Sequence, residues 1–560
     1  MPGSQYPVGR LRLDLDRSRL NRVRKLHSTP SVIALMSLLI SGLLGAPASA
    51  MAHPPQSPPA QHGIPALPLG AKGLPQSATS RQLAPGVTLT SIVRGAFDPA
   101  TPWVVELSIP DAGNPDPDAP GRSVQDKVSA DVLVGRLNSA GFPAQSQPVR
   151  QPKVADVAAS VIGYRVRLVE GYPTQVAAKA VVTRLKAASF TARDWYSGWD
   201  GASNAAGRWT VNIVTIDPRR FRGTLGATFG PDIEHRETTT ALSDYVEATA
   251  AINAGFFVLD PAAGAPGDPA GVGLYNGELE SETTAGRPAL LLDNSARHTA
   301  VIRPTWRGSL TADHRTVTLD GLNRVPGLIR NCGGVGDTPT DRPQHDVTCT
   351  DADELIAFTS AYAAGTPAGV GAEVIMDSRD RVIRVLDHRG VPLAADQRSV
   401  QATGDRVGAL SQLRVGQRVD LRTELTDGRR TLQRSGLTVV NGGPQLLQRG
   451  QLHITQRRDG MVHEGDPSFA YGWALQRNPR TFAGVDARGR TLLVTVDGRQ
   501  PTELGLSIPE TAAVAKALGM VDAINLDGGG STAMAIGGTL ISHPSDAAGE
   551  RPVGDVIYLR

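Results

Sequence analysis

The sequence predicts an α+β protein with two ordered parts behind an export leader, and three observations carry that prediction. A nine-residue motif repeats within residues 101–198, each copy closing a helix-like segment flanked by strand-like runs. From Gly207 to Arg560, short apolar runs alternate with Gly/Asp/Asn turns, with one clear helix among them. Ahead of both, a basic stretch leads into an apolar run and a cluster of small residues.

The leader spans residues 1–50. Arg10 to Lys25 is basic, Val32 to Leu44 is apolar, and Ala46-Pro47-Ala48-Ser49-Ala50 supplies the small residues of a cleavage site near Ala50. The apolar core is shorter than the ~20 residues a spanning helix needs, so a secretory signal is expected rather than a stable anchor. The formal charge of +3 belongs to this segment: it holds seven Lys/Arg and two acids, leaving 50 basic against 52 acidic side chains beyond it. Nothing in that balance points to nucleic acid. The mature chain is expected to be secreted or associated with the cell wall. Residues 51–84, rich in Pro, Gln, Ser, Ala and Gly without hydrophobic periodicity, read as a flexible linker.

Residues 85–200 form the first ordered part. Arg136-Leu137-x-x-Ala140-x-Phe142-x-Ala144 recurs as Arg184-Leu185-x-x-Ala188-x-Phe190-x-Ala192. Val124, Val128, Val132 and Leu137 mark one helix face, and Ala177, Val181, Leu185 and Ala188 the other, near the i, i+4 spacing. With strand-like runs before and after each helix, the order is β-α-β-β-α-β. The pattern resembles the SPOR domain, a small bacterial module, and that resemblance implies binding to peptidoglycan or cell-wall glycan. A structural subdomain packed on the rest of the chain is the alternative.

Residues 205–560 form the second part. Ser507-Ile508-Pro509-Glu510 is a capping box, Thr511 to Leu518 propagate the helix and Gly519 stops it. Runs such as Arg381 to Leu386 and Thr491 to Asp497 read as sheet strands. The two cysteines, Cys332 and Cys349, are expected to form a structural disulfide in an oxidising compartment. Closing so short a loop contributes roughly 3 kcal/mol on a chain-entropy account.

The most informative segment is Asn525-Leu526-Asp527-Gly528-Gly529-Gly530-Ser531-Thr532, set between two apolar runs. Three consecutive glycines are costly to order, so the loop points to close backbone approach, with N–H groups able to meet an anion. Three further turns place polar side chains at strand ends: Asn253-Ala254-Gly255, Asn441-Gly442-Gly443-Pro444, and Asn478-Pro479-Arg480-Thr481. Together, in this order and at these separations, they resemble the phosphodiester glycosidase family over about Gly207 to Arg560. The resemblance implies a mixed-sheet domain that hydrolyses a sugar-1-phosphodiester at the glycosidic C–O bond.

That chemistry assigns candidate roles. Arg480 and the amides of Gly528, Gly529 and Gly530 would hold the phosphodiester anion. Asp527 would serve the oxocarbenium-like transition state as nucleophile or as base for water. Asn253, Asn441 and Asn525 would meet sugar hydroxyls, and Gly255, Gly442, Gly443 and Ser531 would bind the substrate beside them. Alternatives stand beside these: Arg480 pairing with a structural acid, and Asp527 capping its own loop or holding Ca²⁺. His463 reads as a surface-loop residue, and Asp497 with Arg499 as a strand-end ion pair. Rival functions are a metal-dependent phosphodiesterase that breaks P–O and a non-catalytic wall-binding protein. No HExxH, CxxC, P-loop or GxSxG motif supports a zinc protease, redox, NTPase or serine-hydrolase reading.

Overall fold

The computed structural model describes residues 65–110, 120–201, 206–284, 286–334 and 336–560. The leader and residues 51–64 lie outside the described residues. The rest of the expected linker is not a bare tether. Strand β1 (Gln76–Ala84) pairs antiparallel with β2 (Val87–Gly95), and Leu67 and Leu69 are fully buried. The apolar residues of β2 explain this: Val87, Leu89 and Ile92 need cover, and β1 completes their sheet.

Residues 101–200 keep the expected β-α-β-β-α-β order but insert a short extra strand ahead of the first helix, making a five-stranded sheet. β3 (Trp103–Leu107) and the short β4 (Val124–Gln125) precede helix α1 (Lys127–Ser139). β5 (Ala144–Gln151), β6 (Ser160–Leu168), helix α2 (Gln175–Ala187) and β7 (Ala192–Tyr196) follow. β6 lies between β5 and β3, and β7 pairs with β3, so β7 is the edge strand. The predicted helix faces need correction. α1 buries Ala130 and Leu137 while Val128 and Val132 stand 73% and 59% exposed. α2 buries Ala178, Val182 and Leu185. The Asp126 and Thr174 caps fix where each helix starts, and that rotation sets which stripe faces the sheet. The repeated motif closes on itself: Arg136 stacks over Phe190 and Arg184 over Phe142, with the two phenylalanines edge to face.

The boundary expected at residue 85 also moves. β2 joins not this module but a sheet of eight antiparallel strands, pairing with β8 (Arg208–Ile216) over nine residue pairs. That sheet continues through Thr491–Val496, Arg480–Asp486, Met520–Asn525, Gln445–Gln448 and Gln451–Leu452. Alternation along each strand gives it two apolar faces. Trp209, Val211 and Ile213 of β8 face the module and the Ile508–Ala517 helix. Val214 and Ile216 face two five-stranded sheets, one holding Ala250–Asn253 and the other Leu437–Asn441.

The chain between Thr299–Ile302 and Leu437–Asn441 makes a β excursion whose core it shares with Val272, Leu274, Leu279, Ala289 and Leu291. With 14% helix and 40% strand, the fold is mostly β rather than an even α+β mixture. Among the described strands only Gly321–Leu322 pairs in parallel, with Leu355–Thr359. The capping box is present as expected, with Ser507 N–H donating to Glu510 and Glu510 N–H donating to Ser507. Cys332 and Cys349 are disulfide-bonded. Among the described residues no helix is long and apolar enough to cross a membrane.

Candidate active site

The Asp527 loop carries the chain from Met520–Asn525 in the eight-stranded sheet to Met534–Ile536 in a neighbouring sheet. Such a crossing leaves main-chain groups unpaired by any ladder, and nearby asparagines satisfy them. Asn253 donates to the Asp527 carbonyl at 2.7 Å and accepts from Thr481 Oγ1 and Ala533 N–H. Asn525 donates to the carbonyls of Gly443 and Leu526. Asn441 clamps both main-chain groups of Phe256. Gly255 and Gly442 sit against these amides: a Cβ would lie 2.7 Å from Asn441 Nδ2 and 2.8 Å from the Asn525 carbonyl. Gly443 N–H donates to that same carbonyl. The structure therefore places Asn253, Gly255, Asn441, Gly442, Gly443 and Asn525 beneath the loop as its scaffold. None lines the cavity above it.

That cavity has a volume of about 730 Å³ and is lined by Asp527, Gly528, Gly529, Gly530, Ser531 and Arg480. Two of the three glycine amides expected to cradle an anion are already used. Gly528 N–H donates to Asp527 Oδ1 at 2.8 Å, and Gly529 N–H to the Pro479 carbonyl at 3.0 Å. Ser531 N–H is likewise taken by the Gly528 carbonyl. Gly530 has a different reason to lack a side chain: the Arg551–Asp546 ion pair packs straight onto it, and a Cβ would meet Arg551 at 2.3 Å.

Arg480 opens its strand a short way after a wide helical turn, Tyr471–Leu475. Its Nε donates to the Leu506 carbonyl and its Nη2 to that of Trp473, whose ring lies beneath the guanidinium. No carboxylate among the described residues pairs with it, so the structural ion pair considered above is absent. Burial, then the neighbouring Arg499, pull its pKa down to about 9, and it remains charged at neutral pH. A buried guanidinium beside another cation is costly unless an anion is nearby.

Further residues reach the cavity from other segments, among them Arg499, which the sequence reading paired with Asp497. Arg499 donates to Asn478 Oδ1 and faces Gly529. Its expected partner Asp497 instead binds His543, at 2.7 Å. Five arginines (193, 330, 480, 499 and 551) and three aspartates (346, 527 and 546) line the cavity, an excess of positive charge.

His345, fully buried in the cavity wall, is held well below the usual imidazole range by burial and by Arg287. Arg287 donates to its Nδ1, so the neutral ring carries its proton on Nε2. His463 is not a surface residue: it is partly buried and stacked on Phe469 at 3.7 Å. No local motif marks His345; the fold brings it, with Arg499 and Arg551, to the cavity that holds Asp527. A second cavity, of about 780 Å³, adjoins the excursion and contains none of the loop residues.

Comparison with known proteins shows what the part of the chain carrying this site is similar to. Residues 368–560, the C-terminal third of the chain with the Asp527 loop and Arg480, match the phosphodiester glycosidase family model. The resemblance seen from Gly207 onward is thus matched over its later part. N-acetylglucosamine-1-phosphodiester alpha-N-acetylglucosaminidase from Bos taurus is 32% identical over 109 residues, and the Homo sapiens enzyme 31%. The match spans 19% of this chain and about a fifth of the length of those relatives.

At the level of the whole fold, the chain is similar to a protein of Burkholderia pseudomallei described as a candidate exported protein. The TM-score is 0.78 and the identity 31%, covering 89% of this chain and 99% of that one. A hypothetical protein from Synechocystis shares the fold at a TM-score of 0.50 and 17% identity, over 87% and 76% of the two chains.

Proposed function

We propose that the exported chain is a hydrolase that cleaves the glycosidic C–O bond of sugar-1-phosphodiesters in cell-wall polymers or exopolysaccharides. The observation that carries this reading is one cavity joining Asp527 to a buried, carboxylate-free Arg480 and an excess of arginines. The family match supports the reaction class, and similarity to a protein described as exported supports secretion.

The guanidinium of Arg480 holds the phosphodiester anion, a task planar donors perform well. Asp527 acts at the anomeric carbon, as nucleophile or as base for water. The C–O bond breaks with its electron pair going to the phosphate oxygen. The sugar gains the water oxygen, and the phosphate leaves as a monoester. Phosphate is already a good leaving group, so this scheme requires no separate strong acid. Among the described residues no group of three or more His, Cys, Asp or Glu side chains is placed to hold a metal ion, and no step is assigned to Ca²⁺.

The β-α-β-β-α-β module, by its resemblance to SPOR domains, would keep the enzyme on wall glycan. Residues 51–560, purified and assayed against a panel of sugar-1-phosphodiesters, should release a phosphomonoester from at least one. Release from none of a broad panel, with glycan binding retained, would favour the non-catalytic reading.

A further inference from the structure

The cavity is not built by the family-matched part alone. Arg193 and Trp195 on edge strand β7, with Trp199 just beyond it, line the same space as Asp527 and Arg480. These residues are partly exposed. Their positions are fixed from behind by a dense polar network. Trp195 Nε1 donates to Asp200 at 3.0 Å, and Asp200 is held by Arg167 at 2.7 Å and Arg165 at 3.1 Å. Arg193 lies 4.6 Å over the Trp195 ring and pairs with the fully buried Glu106 at 2.5 Å. Although burial pushes Glu106 upward, the guanidiniums of Arg193, Arg167 and Arg165 hold it below the usual carboxylate range.

The same wall is pinned to the catalytic strands. Trp199 Nε1 donates to the Gln500 carbonyl, next to Arg499. Arg477 donates from its main chain to the Trp199 carbonyl and from its side chain to the Gly198 carbonyl. Tyr471, in the turn that precedes Arg480, donates to Glu106. These contacts tie the module to the strands that carry Arg480 and Arg499.

We propose that this wall is a substrate subsite: Trp195, backed by Arg193 and Trp199, takes a second sugar unit on the alcohol side of the phosphodiester. Partly exposed indoles suit the apolar face of a pyranose ring, while a neighbouring guanidinium suits its hydroxyls. The inference rests on the proposed reaction and adds to it the residues, contributed by the N-terminal module, that would select the alcohol group.

The test compares two diesters of the same sugar-1-phosphate, one bearing methanol and one bearing a second sugar as the alcohol. In the full exported chain, Trp195→Ala should lower the ratio of kcat/KM for the two-sugar diester over the methyl diester at least tenfold, chiefly through KM. Trp195→Phe should restore most of that ratio. Calorimetric titration of both diesters reads the subsite without turnover, and Trp195→Ala should weaken only the two-sugar diester by a comparable factor. If wild type binds the diesters but hydrolyses neither, the reaction is misassigned and the titration alone decides the subsite. A ratio unchanged within twofold, or equal loss on both ligands, overturns the proposal.

Discussion

Asp527 opens a triple-glycine loop, and one of its carboxylate oxygens accepts the N–H of the next residue. An asparagine oxygen can accept the same bond, so Asp527→Asn should fold normally. Its kcat should nevertheless fall 10²-fold or more, a loss of at least ~2.7 kcal/mol of transition-state stabilisation. Steady-state kinetics on a soluble diester would show it, and near-wild-type turnover would remove Asp527 from the chemistry. Arg480 uses two separate nitrogens to reach the Leu506 and Trp473 carbonyls. A lysine keeps the charge but cannot span both carbonyls and still present a planar face to phosphate. Arg480→Lys should lower kcat/KM at least tenfold and Arg480→Ala more; parity of both with wild type would place the anion elsewhere.

Beneath the loop, Asp555 accepts Gly255 N–H at 2.7 Å and the Tyr275 hydroxyl at 2.9 Å. Burial pushes its pKa up to about 6 from an ordinary 3.8. The folded protein thus holds this proton more tightly than the unfolded chain does. The contribution is fully present below about pH 4 and is lost as pH rises through about 6, to the extent of about 3 kcal/mol. Asp555→Asn removes this titration. The difference in melting temperature, variant minus wild type, should therefore become more positive between pH 4 and pH 7; a difference independent of pH would refute the assignment.

At the scale of elements, legibility followed how local the signal was. The capped Ile508–Ala517 helix, the β-α-β-β-α-β order and the Asp527 loop are written in short windows, where caps, periodicity and glycine runs act on near neighbours. The helix faces of the module were less legible. Valines at 128 and 132 satisfy a helical period as well as Ala130 and Leu137 do, and only packing against the sheet chooses between them. The asparagines show the same ambiguity. An amide at a strand end can meet a sugar or satisfy loop carbonyls, and Asn253, Asn441 and Asn525 do the second. Arg193, Arg499 and Arg551 reach the cavity from three distant segments, so no spacing rule could have assembled them.

For the whole molecule, the main revision is that the N-terminal part is integrated with the rest. β2 forms a full ladder with β8, and Trp209, Val211 and Ile213 share one core with the module. A chain beginning at Gly207 would leave β8 with an unpaired edge and that apolar face uncovered, a template for aggregation. It should be insoluble on expression, as judged by its soluble fraction. Soluble, active protein of that length would show that the catalytic sheet stands without β1 and β2.

The central claim is that the sugar–oxygen bond, not the phosphorus–oxygen bond, is broken beside Asp527. Hydrolysis of a sugar-1-phosphodiester in ¹⁸O-water, read by mass spectrometry before the free sugar exchanges its anomeric oxygen, addresses it directly. The account predicts label in the released sugar and none in the phosphomonoester. Label in the phosphate would contradict it and make the protein a phosphodiesterase.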